Sequence, residues 1–192
     1  AGTGQAEKGA PVLSEANAAF IPRRTSMSIA THDAENRPVV ARAFGCRVSA
    51  DRRQVTIFLS TTHSPLALQC LRETGVVALA VTRPTTHATL QMKGRVIGFA
   101  PVTAEDREEM AVYLGSVLEE STPKGYTQEF VHGVFSPPSE CIAVSFEPAV
   151  LFNQTPGPHA GVLSDVASKP AFIVGADWLA ALAPFGITTA MR

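Results

Sequence analysis

The residues of this chain best suited to chemistry are Thr61-Thr62-His63-Ser64-Pro65, a hydroxyl-rich run ending in a Ser-Pro pair, and the basic Arg42 upstream of it. Ser64 followed by Pro65 is a favourable N-cap and first-turn pair, so a helix is expected to open here with unpaired backbone N–H groups and the positive end of its dipole exposed. An anion can dock at such a start. Thr61, Thr62 and Ser64 add hydroxyl donors, and Arg42 can bring a planar charged fork from a neighbouring strand. Further on, strand alternation through Leu90-Gln91-Met92-Lys93-Gly94 puts Gln91 and Lys93 on one face and Leu90 and Met92 on the other. The same residues also fit a plainer reading: a hairpin followed by a well-capped helix, with Arg42 in a surface ion pair and Lys93 keeping a strand edge soluble.

Other chemistries find less support. His32, His63, His87, His132 and His159 form no HxH or HExxH arrangement, which leaves structural or solvent-facing roles for each, with His63 the best functional candidate by its place in the loop and His159 second. Cys46, Cys70 and Cys141 are odd in number and lack CxxC or Cys/His spacing, against both a disulfide framework and a zinc site, so no metal is expected. No GxSxG occurs, and Gly2-Thr3-Gly4 neither follows a strand nor opens a helix, which excludes a Rossmann fingerprint.

The elements that must position these residues are short apolar runs at 26–31, 38–44, 55–60, 76–82 and 88–94, with a single helix after the third. Asp33-Ala34-Glu35-Asn36-Arg37 and Ser49-Ala50-Asp51-Arg52-Arg53 are polar breaks suited to hairpins. Thr103-Ala104-Glu105-Asp106 reads as a capping box, and the apolar stripe through Met110, Val112, Tyr113, Leu114, Val117 and Leu118 predicts a helix over 104–120, ended by Pro123 and Gly125. A strand at 141–146 and its continuation at 149–153, after a break at Pro148, complete the series. Short β runs separated by turns, with a single helix after the third, suggest a small antiparallel barrel, mainly β with α, of the α+β class. Residues 1–18 read as a loose arm, 19–155 as the barrel domain and 156–192 as a C-terminal extension packing on the barrel or on a partner subunit, with a strand at 171–174 and a short helix at 176–182.

This order of elements, with Ser28-Ile29-Ala30-Thr31-His32-Asp33 before a turn, Arg42 in a strand, Phe58-Leu59-Ser60-Thr61-Thr62-His63-Ser64 entering a helix and Leu90-Gln91-Met92-Lys93-Gly94 after it, resembles the pyridoxamine 5'-phosphate oxidase-like flavin-binding split barrels over about residues 20 to 155. Phe152-Asn153-Gln154-Thr155-Pro156-Gly157 is similar to a late strand and turn in some of them. The resemblance implies a six-stranded antiparallel split β-barrel with flanking helices, a homodimer with flavin mononucleotide, FMN, near the subunit interface, and oxidoreduction of a small organic substrate. It places Arg42, Ser60, Thr61, Thr62, Ser64, Gln91 and Lys93 at the cofactor. A deazaflavin or haem is the alternative cofactor, and a haem-binding or haem-degrading barrel, or a non-catalytic binding or assembly protein with a degenerate site, is the alternative function. The chain departs from the pattern after Ser64, where many relatives carry Lys or Arg and this sequence has Pro65 and Leu66. It also lacks a basic substrate-phosphate cluster near its end, Arg192 being the only Arg after Arg107, which disfavours pyridoxamine phosphate oxidation itself. No side chain stands out as a catalytic acid or base.

Composition bounds these readings. The 192 residues suit one domain. With 16 Lys plus Arg against 17 Asp plus Glu the formal net charge is -1, so nothing draws the chain to nucleic acid or an anionic membrane. No apolar run is long enough to span a bilayer, and the first residues lack the apolar stretch of a secretory signal, so a cytoplasmic protein is expected.

Overall fold

The computed structural model describes residues 13–164. Strand β1, Ser26–His32, alternates as its sequence does: Met27, Ile29 and Thr31 are buried, while Ser26, Ser28 and Ala30 are half-buried on the opposite face. Asp33 turns the chain into β2, Pro38–Val48. Its Oδ1 accepts from the amides of Glu35 and Arg37 at 3.0 and 2.9 Å, and the Arg37 guanidinium donates to Oδ2 at 2.6 Å. β2 bulges between Ala43 and Cys46, where Gly45 takes φ +114° and a Cβ would press on Tyr113 at 3.3 Å. β3 is Val55–Ser60, and α2, Pro65–Thr74, buries Ala67, Leu68, Cys70 and Leu71. β4, Val76–Thr82, then repeats the alternation of β1.

β5, Thr89–Pro101, and β6, Cys141–Asn153, are both longer than expected from sequence. The expected strand at 88–94 runs on to Pro101, past irregularities between Lys93 and Gly94 and between Val96 and Gly98. The expected break at Pro148 is instead a continuous strand. Pro148 faces Gly94 at the bulge, where a missing N–H is tolerated. Gly94 is required there, since a Cβ would lie 2.1 Å from the Glu147 carbonyl oxygen.

The strands follow the order β3-β2-β1-β4-β5-β6, and β3 pairs with β6 as well, closing a six-stranded antiparallel barrel. A two-residue β7, Val162–Leu163, extends β6 at its end. Met27, Ile29, Ile57, Leu79, Met92 and Leu151 fill the interior, fully buried. Each such side chain contributes roughly 1.5 to 3 kcal/mol by leaving water.

Helix α3, Ala104–Ser121, opens with the expected capping box and lies on β2. Its Met110 packs with Phe44, Phe58 and Ala143 on the outside of the barrel, and its Asp106 holds Arg47 of β2 at 2.8 Å. After a 3₁₀ turn at Thr122–Lys124 comes α4, Gln128–Phe135, which the sequence reading omitted. At the N-terminus, helix α1, Glu15–Phe20, and the buried Leu13 replace the loose arm expected for those residues. The strand expected at 171–174 and the helix at 176–182 lie outside the described residues. Among the described residues no helix is long and apolar enough to cross a membrane.

Candidate functional site

Directly paired residues of an antiparallel sheet share a face, so the register draws rows across the barrel wall. One row on the outer face runs Arg42, Ser28, Ala80, Gln91, Phe152 across β2, β1, β4, β5 and β6. The next runs Val40, Ala30, Ala78, Lys93, Val150. At the usual strand spacing Arg42 and Gln91 stand roughly 14 Å apart. Between them lies a shelf floored by Ser and Ala, with a cationic fork at one end and an amide and an ammonium at the other.

Arg42 is half-buried and has no carboxylate partner among the described residues, unlike Arg23, Arg24, Arg37, Arg47 and Arg52. The surface ion pair considered for it from sequence is therefore not formed. Its one hydrogen bond goes to Ser26 Oγ at 3.5 Å, and one face of its guanidinium lies 4.7 Å from the centre of the Phe135 ring. Stacking of this kind covers the plane of the fork and leaves its N–H edge able to donate. At the far end Gln91 Oε1 accepts from Gln154 at 3.1 Å, and the Lys93 ammonium stands 5.5 Å over Phe152. Burial lowers the Lys93 pKa, as it disfavours the charged amine.

The hydroxyl loop adjoins Arg42 through β3. Ala43 pairs with Leu59, so Arg42 and Ser60 are the next residues along the two strands. Ser60 is fully buried and its Oγ accepts from the His63 amide at 3.0 Å, while its carbonyl accepts from the Ser64 amide at 3.1 Å. Thr61 donates through both its amide and its hydroxyl to the Glu140 carbonyl, at 3.1 and 3.3 Å. Ser60 and Thr61 thus spend hydrogen bonds on holding the loop. Thr62 and His63 are exposed. Ser64 stands at the N-cap and Pro65 at the first turn of α2, as expected, but the Ser64 side chain makes no capping bond. The structure therefore brings Arg42 and the Ser60–Ser64 loop together on neighbouring strands and sets Gln91 and Lys93 at the other end of the shelf.

Three neighbours of the site escaped the sequence reading as site residues: Ser28, Phe135 and Phe152. Phe135 had a signal, since Thr127 is followed by Val131 and Phe135 at helical spacing, and Thr127 does cap α4. Ser28 and Phe152 become visible only through their pairing partners. Among the described residues no three His, Cys, Asp or Glu side chains gather as a metal site. The three cysteines are free, and burial pushes the Cys46 thiol up to about 12.

No family model matches the chain, and no curated protein matches it. Among solved structures it is similar to an F420 reductase, at 14% identity and TM-score 0.50, with 72% of this chain and 98% of that one covered. The fold is the split barrel. Other structures with likeness to it are HupZ from Group A Streptococcus (14% identity, TM-score 0.48, 78% and 99% covered) and a pyridoxamine 5'-phosphate oxidase-related, FMN-binding protein from Nostoc punctiforme (12%, 0.40, 70% and 76%). At 14% identity the likeness to the reductase is one of fold.

Proposed function

We propose that this split barrel is a homodimeric FMN-dependent oxidoreductase acting on a small organic molecule. The observation that carries the reading is Arg42, a half-buried guanidinium with no carboxylate partner among the described residues, at one end of the shelf. A cation taken partly out of water is costly unless an anion completes it. The donor set fits FMN: a fork for the phosphate, small side chains beneath a planar ring, and Gln91 and Lys93 for the polar ring edge. Bound flavin supplies the hydride and electron chemistry. Of this chain's residues, Arg42 and the first-turn amides of α2 hold the phosphate, and Ala78 and Ala80 admit the ring by being small. Gln91 orients the ring, and Lys93 favours negative charge beside it. The half-buried Ser and Ala face and the exposed Val40 suit a second copy of the chain closing over the shelf.

A haem reading has one observation in its favour. His32 shares the outer face with Ser28 and Ala30, and its Nδ1 lies 2.8 Å from the Asp33 carbonyl, which leaves Nε2 to ligate. The visible spectrum of the purified protein separates flavin, deazaflavin, haem and an empty barrel. Titration of the cofactor-free protein tests the anchor: FMN should bind about one to two decades more tightly than riboflavin, the worth of a charge-assisted contact of roughly 1.5 to 3 kcal/mol. Equal affinities, or a haem spectrum, overturn the reading.

A further inference from the structure

Pro137 decides where α4 stops. The residue before a proline is pushed out of the helical region, and Ser136 accordingly sits at φ -64°, ψ 128°, which makes Phe135 the last residue of the helix. One turn earlier on the same face Val131 is fully buried, and Thr127 caps the first turn by accepting from the Phe130 amide at 3.2 Å. The cap and Val131 seat α4 on the body of the protein and leave Phe135 at its end against β2. There the centre of its ring lies 4.7 Å from the Arg42 guanidinium carbon, and the residue is only 8% exposed.

Arg42 has little else to hold it. Its one hydrogen bond, to Ser26 Oγ at 3.5 Å, is at the outer limit for such a bond, and none of the ion pairs among the described residues includes it. An arginine side chain carries large rotamer entropy, so a fork fixed by neither strong hydrogen bonds nor an ion pair must give up that freedom when an anion binds. A stacked ring removes part of it beforehand. It restrains the plane of the guanidinium and leaves the N–H edge in that plane for an acceptor.

We infer that Phe135 is a positioning residue for the phosphate anchor: its ring pre-sets the plane of the Arg42 fork and thereby widens the preference for FMN over riboflavin. The inference rests on the reading of Arg42 as that anchor. A ring that only filled the core would act otherwise, since its loss would weaken both flavins alike, whether or not Arg42 were present.

Phe135→Leu and Phe135→Met remove the aromatic face and keep an apolar side chain on α4, the longer Met carrying the test where Leu is too unstable to titrate. FMN and riboflavin affinities of the cofactor-free protein are measured by fluorescence titration for the parent, both Phe135 variants, Arg42→Met, and Arg42→Met combined with Phe135→Met. The expected result is an about threefold or greater loss of FMN affinity in the Phe135 variants with riboflavin affinity unchanged, and no further loss when Phe135→Met is added to Arg42→Met. Parental FMN affinity in Phe135→Met alongside a loss in Arg42→Met overturns the role of Phe135 and leaves the anchor standing. An equal fractional loss for both flavins also overturns it, as does a loss as large without Arg42 as with it. A parent that does not distinguish FMN from riboflavin removes the anchor, and the role of Phe135 with it.

Discussion

Asp106→Asn tests how α3 is pinned to the barrel, and through it the seat of Tyr113 on β2. In the native protein Asp106 Oδ1 accepts from Arg47 Nε at 2.8 Å and Oδ2 accepts from the Thr103 amide at 3.1 Å, while the Asp106 amide donates to Thr103 Oγ1 at 3.1 Å. Asn keeps the last bond and the shape but turns one acceptor into a donor facing an N–H. A charge-assisted bond to Arg is worth about 1.5 to 3 kcal/mol. With the Arg47 side chain 48% exposed against 4% for Asp106, solvent screening reduces that to about 1 kcal/mol. The lost cap adds about 0.5 to 1 kcal/mol. The sum, about 2 kcal/mol, corresponds to a Tm lowered by roughly 4 to 8 °C for a domain of this size. Burial pushes the Asp106 carboxyl up, but the Arg47 and Thr103 bonds together outweigh it and hold its pKa below the ordinary 3.8. For a carboxyl depressed in the folded state, the stabilisation is present above the unfolded value and is lost as pH falls through the folded one. The gap between parent and variant should therefore be full near neutrality and close below about pH 4. Urea unfolding at both pH values measures it. A neutral-pH gap under about 0.5 kcal/mol, or one unchanged in acid, refutes the reasoning.

Three further outcomes are expected. Gly94→Ala places a Cβ 2.1 Å from the Glu147 oxygen and 2.8 Å from its carbonyl carbon, where only backbone can yield, so it should cost about 3 kcal/mol or more by denaturant unfolding; a variant as stable as the parent means the β5–β6 bulge lies elsewhere. Arg42→Ala should weaken FMN binding by about tenfold or more, while Arg52→Ala, at the β2–β3 turn and paired with Glu15 at 3.0 Å, should leave it near parental by fluorescence titration. The parent should sediment as a dimer burying over about 2,000 Å² at micromolar concentration, and Val40→Glu, on an outer-face side chain 69% exposed, should shift it toward monomer; a parent that is only monomeric ends that proposal.

How much of this was legible in the sequence depends on the range of the contacts involved. β3 and β4 begin and end where their apolar runs do, and α3 opens at the capping box, because caps and alternation are local. Gly94 and Gly98 look like strand ends in the sequence, whereas both sit at irregularities in a long pairing of β5 with β6. Pro148 reads as a break for the same reason, its tolerance depending on the partner strand. At the site, the shared face of Gln91 and Lys93 followed from alternation. Their alignment with Arg42 did not, since it passes through two intervening strands whose register only the closed barrel sets.

The closure of β3 on β6 also bears on how the protein is made. Val55 pairs with Phe146, and α2, β4, β5, α3 and α4 lie between them in the chain, so the barrel cannot shut until the last of its six strands has been synthesised. Until then Val55, Ile57 and Leu59, all fully buried in the finished fold, lie on an open sheet edge able to pair with another nascent chain. Aggregation during expression should accordingly rise with anything that delays the arrival of β6, and slow refolding from denaturant should report the docking of this one strand.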